Sequence, residues 1–253
     1  MKIGRTASRS ISCLGISTAL SLSVCATAAA EPVEIGNFFA RDCVEVSAIV
    51  PGDPAAVRDF VPAGFTPSTF FGLPGGPSLP GDPSLLMGIE TCAGGIIDGV
   101  EVTEPFSFGE RVISIDRHDP RAGYHFYAVE QVSDNAAIVD LMSSAGFDIT
   151  YVPDAFASAD VRGGVSRGGP VTIVDNAPTP LLPSPLGEVS IWNERGGTQH
   201  VLRLTVGSPT AQAGIGTVTA AENSTIAHLM GREESVGIGA INRFDFHASV
   251  LRM

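Results

Sequence analysis

Apolar residues along the chain gather in short runs rich in Val, Ile, Phe and Thr, separated by Gly, Pro, Asn and Asp. Such runs suit a pleated, half-buried surface, and the residues between them suit turns. The pattern predicts strands over 43–50, 65–72, 84–92, 97–102, 106–115, 123–132, 147–152 and 156–162. It predicts more over 171–174, 188–193, 200–206, 215–219 and 242–251. Three helices interrupt them. The first begins at "GDPAAVRDF", where Asp53 is a good N-cap and Pro54 suits the first helical position. The second is "SDNAAIVDLMSSAG", with Ser133 or Asp134 as its cap. There Ala137, Ile138, Leu141, Met142 and Ala145 make one apolar face, and Gly146 is a left-handed stop. The third is "NSTIAHLMG", capped near Asn223 or Ser224 and stopped at Gly231. Two Pro-rich stretches, "GLPGGPSLPGDPS" and "APTPLLPSPLG", read as surface loops.

Many strands and few helices predict a mainly β domain that manages its sheet edges by closure or by packing two sheets. A closed or partly open β-barrel, or two packed antiparallel sheets, meets that need, and such structures often enclose an apolar cavity.

The ends change the picture. Lys2, Arg5 and Arg9 precede an apolar stretch that finishes in small residues, with Ala28 and Ala30 suited to signal cleavage. Residues 1–30 are therefore expected to be a signal peptide, and 31–253 a single exported domain, periplasmic or extracellular in a bacterium. Cys25 after "LSV" leaves a lipoprotein reading as a minority alternative. No other stretch reaches the length of a membrane span. The processed chain would carry 12 basic and 27 acidic residues. That balance argues against nucleic-acid binding, which needs clustered Lys and Arg. Two cysteines, Cys43 and Cys92, would remain, and an oxidising compartment predicts one disulfide between them.

Candidate chemistry is sparse. "GVSRG" places Ser166 in a nucleophile-elbow pattern, but another strand follows it and not a helix, so a glycine-rich turn is expected. "DRHDP", from Asp116, reads as a polar turn, and no histidine pair has zinc-type spacing. No cofactor motif and no metal site is expected.

Three stretches carry a resemblance. "VSAIVPGDPAAVRDFVPAGFTP" supplies a strand, a short helix and a turn. "FSFGERVISI" is a strand with Glu110 near its centre. "YHFYAVEQVSDNAAIVDLMSSAGFDI" supplies a strand, an acidic turn, a helix and the start of another strand. Together, over roughly 43–152, they resemble the acetoacetate decarboxylase-like superfamily. The resemblance implies that Glu110 takes the place of an active-site glutamate. It also implies a Schiff-base lysine just after the second helix, where this chain has Ile149 and Thr150. Lys2 is the one lysine in the sequence. Schiff-base decarboxylation, which needs a neutral lysine amine, is therefore not expected.

Two readings follow. In the favoured one the domain binds a small apolar or carbonyl-bearing molecule, with Phe106, Phe108, Phe126, Tyr127, Ile149 and Trp192 as candidate pocket walls. In the alternative it is an enzyme using lysine-independent acid–base chemistry at Glu110. Arg111 follows Glu110 in a strand and is expected to point to the opposite face. A binding pocket should carry at most one titratable group, whereas an active site should gather several polar groups at one point.

Overall fold

A computed structural model describes residues 31–69, 82–116, 123–176, 179–184 and 187–253. The expected signal peptide, most of the first Pro-rich stretch and His118 lie outside the described residues. Among the described residues, fifteen strands and three helices run in the order β1 (Val33–Pro51), α1 (Pro54–Phe60), β2 (Thr66–Pro67), β3 (Ser84–Cys92), β4 (Gly94–Ile97) and β5 (Val100–Val102). Then come β6 (Phe106–Asp116), β7 (Tyr124–Ser133), α2 (Ala136–Ser144), β8 (Ile149–Tyr151), β9 (Phe156–Ala159), β10 (Gly163–Gly168) and β11 (Val171–Asn176). The chain ends with β12 (Leu182–Pro183), β13 (Glu188–Arg195), β14 (Thr198–Ala220), α3 (Thr225–Met230) and β15 (Glu234–Arg252).

Seven of these strands form a closed hydrogen-bonded ring in the order β1-β3-β6-β7-β13-β14-β15, with β15 returning to β1. The seams are antiparallel except for β7–β13, which is parallel, as is the flanking pair β7–β8. β11, β10 and β9 extend the sheet outward from β14.

Alternation along each strand divides the apolar residues into two cores. One contains Val46, Ala48, Met87, Ile113, Tyr127 and Trp192, covered by Val57 of α1, Ile226 and Leu229 of α3, and Ile173 of β11. The other contains Phe38, Ile49, Phe108, Val112, Phe126, Ile191 and Leu204, together with Ile138 and Met142 of α2. The second core is the inside of the ring, because it faces a cavity to which all seven ring strands contribute.

The local signals explain the helices well. Asp53 Oδ1 accepts from the amides of Ala55 and Ala56 at 3.0 and 2.8 Å. Ser224 Oγ caps α3, and Gly231 ends it at φ +67°. Asn135, not Ser133 or Asp134, caps α2. Ser133 is still inside β7 with its hydroxyl on the Ser107 carbonyl, and Asp134 accepts from the Ser107 amide. Three strand expectations are revised. The run 97–102 is a hairpin, β4–β5, turning on Asp98 and Gly99 at φ +48° and +82°. The stretch around Ser166 is strand β10, and the turn falls at Gly169 and Pro170. The runs at 200–206 and 215–219 belong to one strand, β14, continuous through a bulge between Gly207 and Thr210.

Cys43 and Cys92 form a disulfide at one end of the β1–β3 ladder, closing a separation of 49 residues. Both are buried. A loop of that size is worth about 4 kcal/mol through the restricted unfolded chain. The Cys43→Ser/Cys92→Ser double variant should lose stability of that order in urea melts under non-reducing conditions. Unchanged stability would show that the bond contributes nothing to folding.

Candidate functional site: a buried carboxyl cluster in an apolar cavity

The cavity inside the ring measures about 160 Å³. Its walls are mostly aliphatic and aromatic: Ile49, Leu86, Val112, Phe126, Ile191, Leu204, Ile238 and Phe246 among them. Three glutamates, Glu45, Glu90 and Glu110, face the same space with Ser47 and Asn242. Among the described residues, no lysine, arginine or histidine lines it.

Strand register brings the acids together. Directly paired residues on neighbouring antiparallel strands project to the same face. Glu90 on β3 pairs with Glu45 on β1, and Glu45 pairs with Asn242 on β15. One pleat along, Glu110 on β6 pairs with Gly88, and Gly88 pairs with Ser47. Gly88 is the gap that lets the carboxyls approach. A Cβ there would come within 2.7 Å of Glu45 Oε1 and 3.3 Å of Glu110 Oε1.

The acids differ in their partners. Asn242 Nδ2 donates to Glu45 Oε2 at 2.6 Å. Burial raises the Glu45 carboxyl above its ordinary range, while the Asn242 and Ser47 hydrogen bonds pull it back. Glu90 is raised well above that range, first by burial, then by the charges of Glu110 and Glu45. Glu90 and Glu110 share a hydrogen bond that favours the proton on Glu90. Glu110 itself is pushed up to about 8, by burial first and by Glu45 next. Glu90 Oε2 and Glu110 Oε2 are both buried with no hydrogen-bond partner. An unpaired ionised carboxylate in such surroundings is so unfavourable that it takes up a proton instead. Among the described residues these side chains do not form a group able to hold a metal ion.

Arg111 does not enter the cavity. It points to the opposite face, where Nη1 donates to Glu130 Oε1 at 2.7 Å and Nη2 to the Gly168 carbonyl. Asp175 on β11 adds a fourth buried acid outside the ring wall. Gly216 and Gly239 make room for it, since a Cβ on either would lie 2.6 Å from its Oδ1. Burial is the main reason its carboxyl is pushed up to about 8.

Of the residues singled out in the sequence, Glu110 and Phe126 line the cavity. Phe106, Phe108 and Ile149 lie in the inner core but are not among the lining residues, and Phe108 packs edge-on against Phe38. Tyr127 and Trp192 point to the outer core, because their neighbours Phe126 and Ile191 take the inward positions. Ile149 shares a face with Glu110, two strands away, with Gln131 between them. Thr150 is exposed. Glu45, Glu90 and Asn242 were not anticipated. A signal for two of them was present, since "CVEVSAIV" and "LLMGIETC" each hold a lone glutamate in an otherwise apolar run.

This architecture is the acetoacetate decarboxylase-like fold, as the sequence motifs implied. An acetoacetate decarboxylase-like enzyme from Sphingomonas wittichii RW1 matches with a TM-score of 0.60 and 11% identity, over 87% of this chain and 94% of that one. The acetoacetate decarboxylase of Legionella pneumophila subsp. pneumophila str. Philadelphia 1 matches with a TM-score of 0.56 and 10% identity, over 85% and 84%. The enduracididine biosynthesis enzyme MppR, in complex with pyruvate, matches with a TM-score of 0.54 and 13% identity, over 89% and 91%. No protein-family model and no curated protein matches the sequence.

The acids give a signed pH dependence. Glu110 and Asp175 titrate near 8 in the folded protein, above their ordinary values of 4.5 and 3.8. Between those limits the native state holds more protons than the unfolded chain, so stability falls as pH rises toward and through 8. The melting temperature should therefore be higher at pH 5 than at pH 8.5. Glu110→Gln, which cannot ionise, should flatten part of that slope. A melting temperature that increases from pH 5 to 8.5 would contradict the assignment.

Proposed function

We propose that the cavity binds a small, mostly apolar molecule that carries a carbonyl and no negative charge. One observation carries this reading: three buried carboxyls meet at one wall of an otherwise apolar cavity that no cation among the described residues lines. A carboxyl that keeps its proton can donate a hydrogen bond to a carbonyl oxygen, and the apolar walls take the rest of the molecule. The size is set by the cavity, since about 150 Å³ accommodates a benzene-sized guest. A carboxylate ligand would have to leave water for a cavity that no cation among the described residues lines, so its charge would go unpaired. The pyruvate in complex with MppR is such an anion, so this chain is proposed to select different molecules. With Lys2 the one lysine in the sequence, no Schiff base to a keto acid is part of the proposal. The basic, apolar start of the chain and the Cys43–Cys92 disulfide support an exported protein.

The probes are cyclohexanone and cyclohexanecarboxylate, which share a body and differ in charge. Saturation-transfer NMR at pH 7 should show cyclohexanone in contact with the protein and cyclohexanecarboxylate free. Ile238→Trp, which fills the cavity from a half-buried position, should abolish the contact. Preferential binding of the carboxylate, or undiminished ketone binding to the filled variant, would refute the reading.

A further inference from the structure

We propose that the chain is an enolising enzyme, in which Glu110 takes a proton from the carbon beside the ligand's carbonyl while Glu90 gives a proton to the carbonyl oxygen. This inference rests on the carbonyl-binding reading of the same cavity.

The geometry supplies the parts. Glu90 and Glu110 come from adjacent strands and line one cavity wall. Glu90 is 3% exposed and Glu110 9%. Each keeps one oxygen, Oε2, buried and without a protein partner. They also share a hydrogen bond with each other. The pair therefore has one free oxygen to receive a proton and another from which to deliver one, at a single wall of a site that can hold a ketone.

The step balances without a cofactor. The C–H bond breaks, and its proton moves to the Glu110 carboxylate. The C–H electron pair becomes the carbon–carbon double bond of the enol. The carbonyl π pair takes the Glu90 proton and becomes the O–H bond. Glu110 is now the acid and Glu90 the carboxylate; rotation of the Glu110 carboxyl turns its new proton toward Glu90, and the hydrogen bond between them passes it back. No group is oxidised or reduced, and no amine is needed. Reversal returns a proton to the same carbon, which makes the net reaction an isotope exchange, or an epimerisation where that carbon is a stereocentre.

The surroundings keep both members of the pair protonated below about pH 8 and leave one proton on it above that. Glu45 faces it from β1, bonded to Asn242 of β15. Gln131 stands beside Glu110 on β7, Asp175 lies behind the sheet on β11, and Arg111 is on the opposite face of β6. The inward side is thus acidic, and the proton is held there. Glu110 becomes a base as pH rises through about 8, while Glu90, raised well above its ordinary range, still holds its proton. A base matched to working pH is the more effective proton acceptor.

The test is deuterium uptake by cyclohexanone at the carbons beside its carbonyl, read by proton NMR in D₂O with the full chain. Saturation transfer in the same tube reports contact. Contact with uptake on the order of 10²-fold faster than buffer is expected, increasing from pH 6 to 8. Glu110→Gln should keep the contact and lose the acceleration, and Glu90→Gln should retain part of the contact with slower uptake. Contact with uptake at the buffer rate would overturn the enolisation proposal and leave binding intact. Acceleration that survives in Glu110→Gln would overturn it equally. Absence of contact would sink the binding reading and the enolisation with it.

Discussion

Glu45 and Glu90 occupy directly opposed positions on adjacent strands, and the rest of the site follows from that pairing. Like charges placed opposite each other repel, and here they do so away from water. Gly88 then lets Glu110 reach the same spot from the third strand. Three acids in one dry place cannot all ionise, so protons become part of the native structure. The cluster resembles a shared-proton device more than a set of separate residues, and its titration belongs to the group. Its position inside the closed ring is what makes the constraint severe, because no cation among the described residues lines the cavity and Arg111, on the opposite face, offsets it only in part.

The same arrangement bears on the lysine-dependent chemistry that the resemblance implies. Where the resemblance implies an amine nucleophile, Ile149 is buried and Thr150 is exposed. Ile149 still lies in the row that passes through Gln131 to Glu110. On the proposed reading, a wall that is both acidic and apolar would favour neutral carbonyl compounds over keto acids, and would offer proton transfer in place of imine formation.

Much of the framework was legible in the sequence because its signals are local. Asp53 with Pro54, Ser224 with Gly231, and the apolar face of α2 mark helices that need no tertiary information. Ring closure was a reasonable expectation from the number of strands. The order of those strands was not, since a parallel β7–β13 seam leaves no trace in either segment. β14 read as two strands because Gly207, Ser208 and Pro209 look like a turn. The long ladder to β15 carries the strand through that bulge. Glu110 could be picked out through the resemblance, but its partners could not. Which glutamate meets which is a matter of register across strands far apart in sequence. The inward direction of Phe126 and Ile191, and the outward direction of Tyr127 and Trp192, depend on the same register. A shift of one residue would exchange them.

The central claim is that the carboxyl cluster keeps its protons at neutral pH. Infrared spectroscopy of the carboxylic acid C=O stretch, followed from pH 5 to 9 in the wild-type protein and Glu110→Gln, tests it most directly. A protonated-acid band that persists at pH 7, fades around pH 8 and is diminished in the variant is the predicted result. A wild-type band already gone near pH 5 would mean ordinary ionised glutamates and would contradict the account.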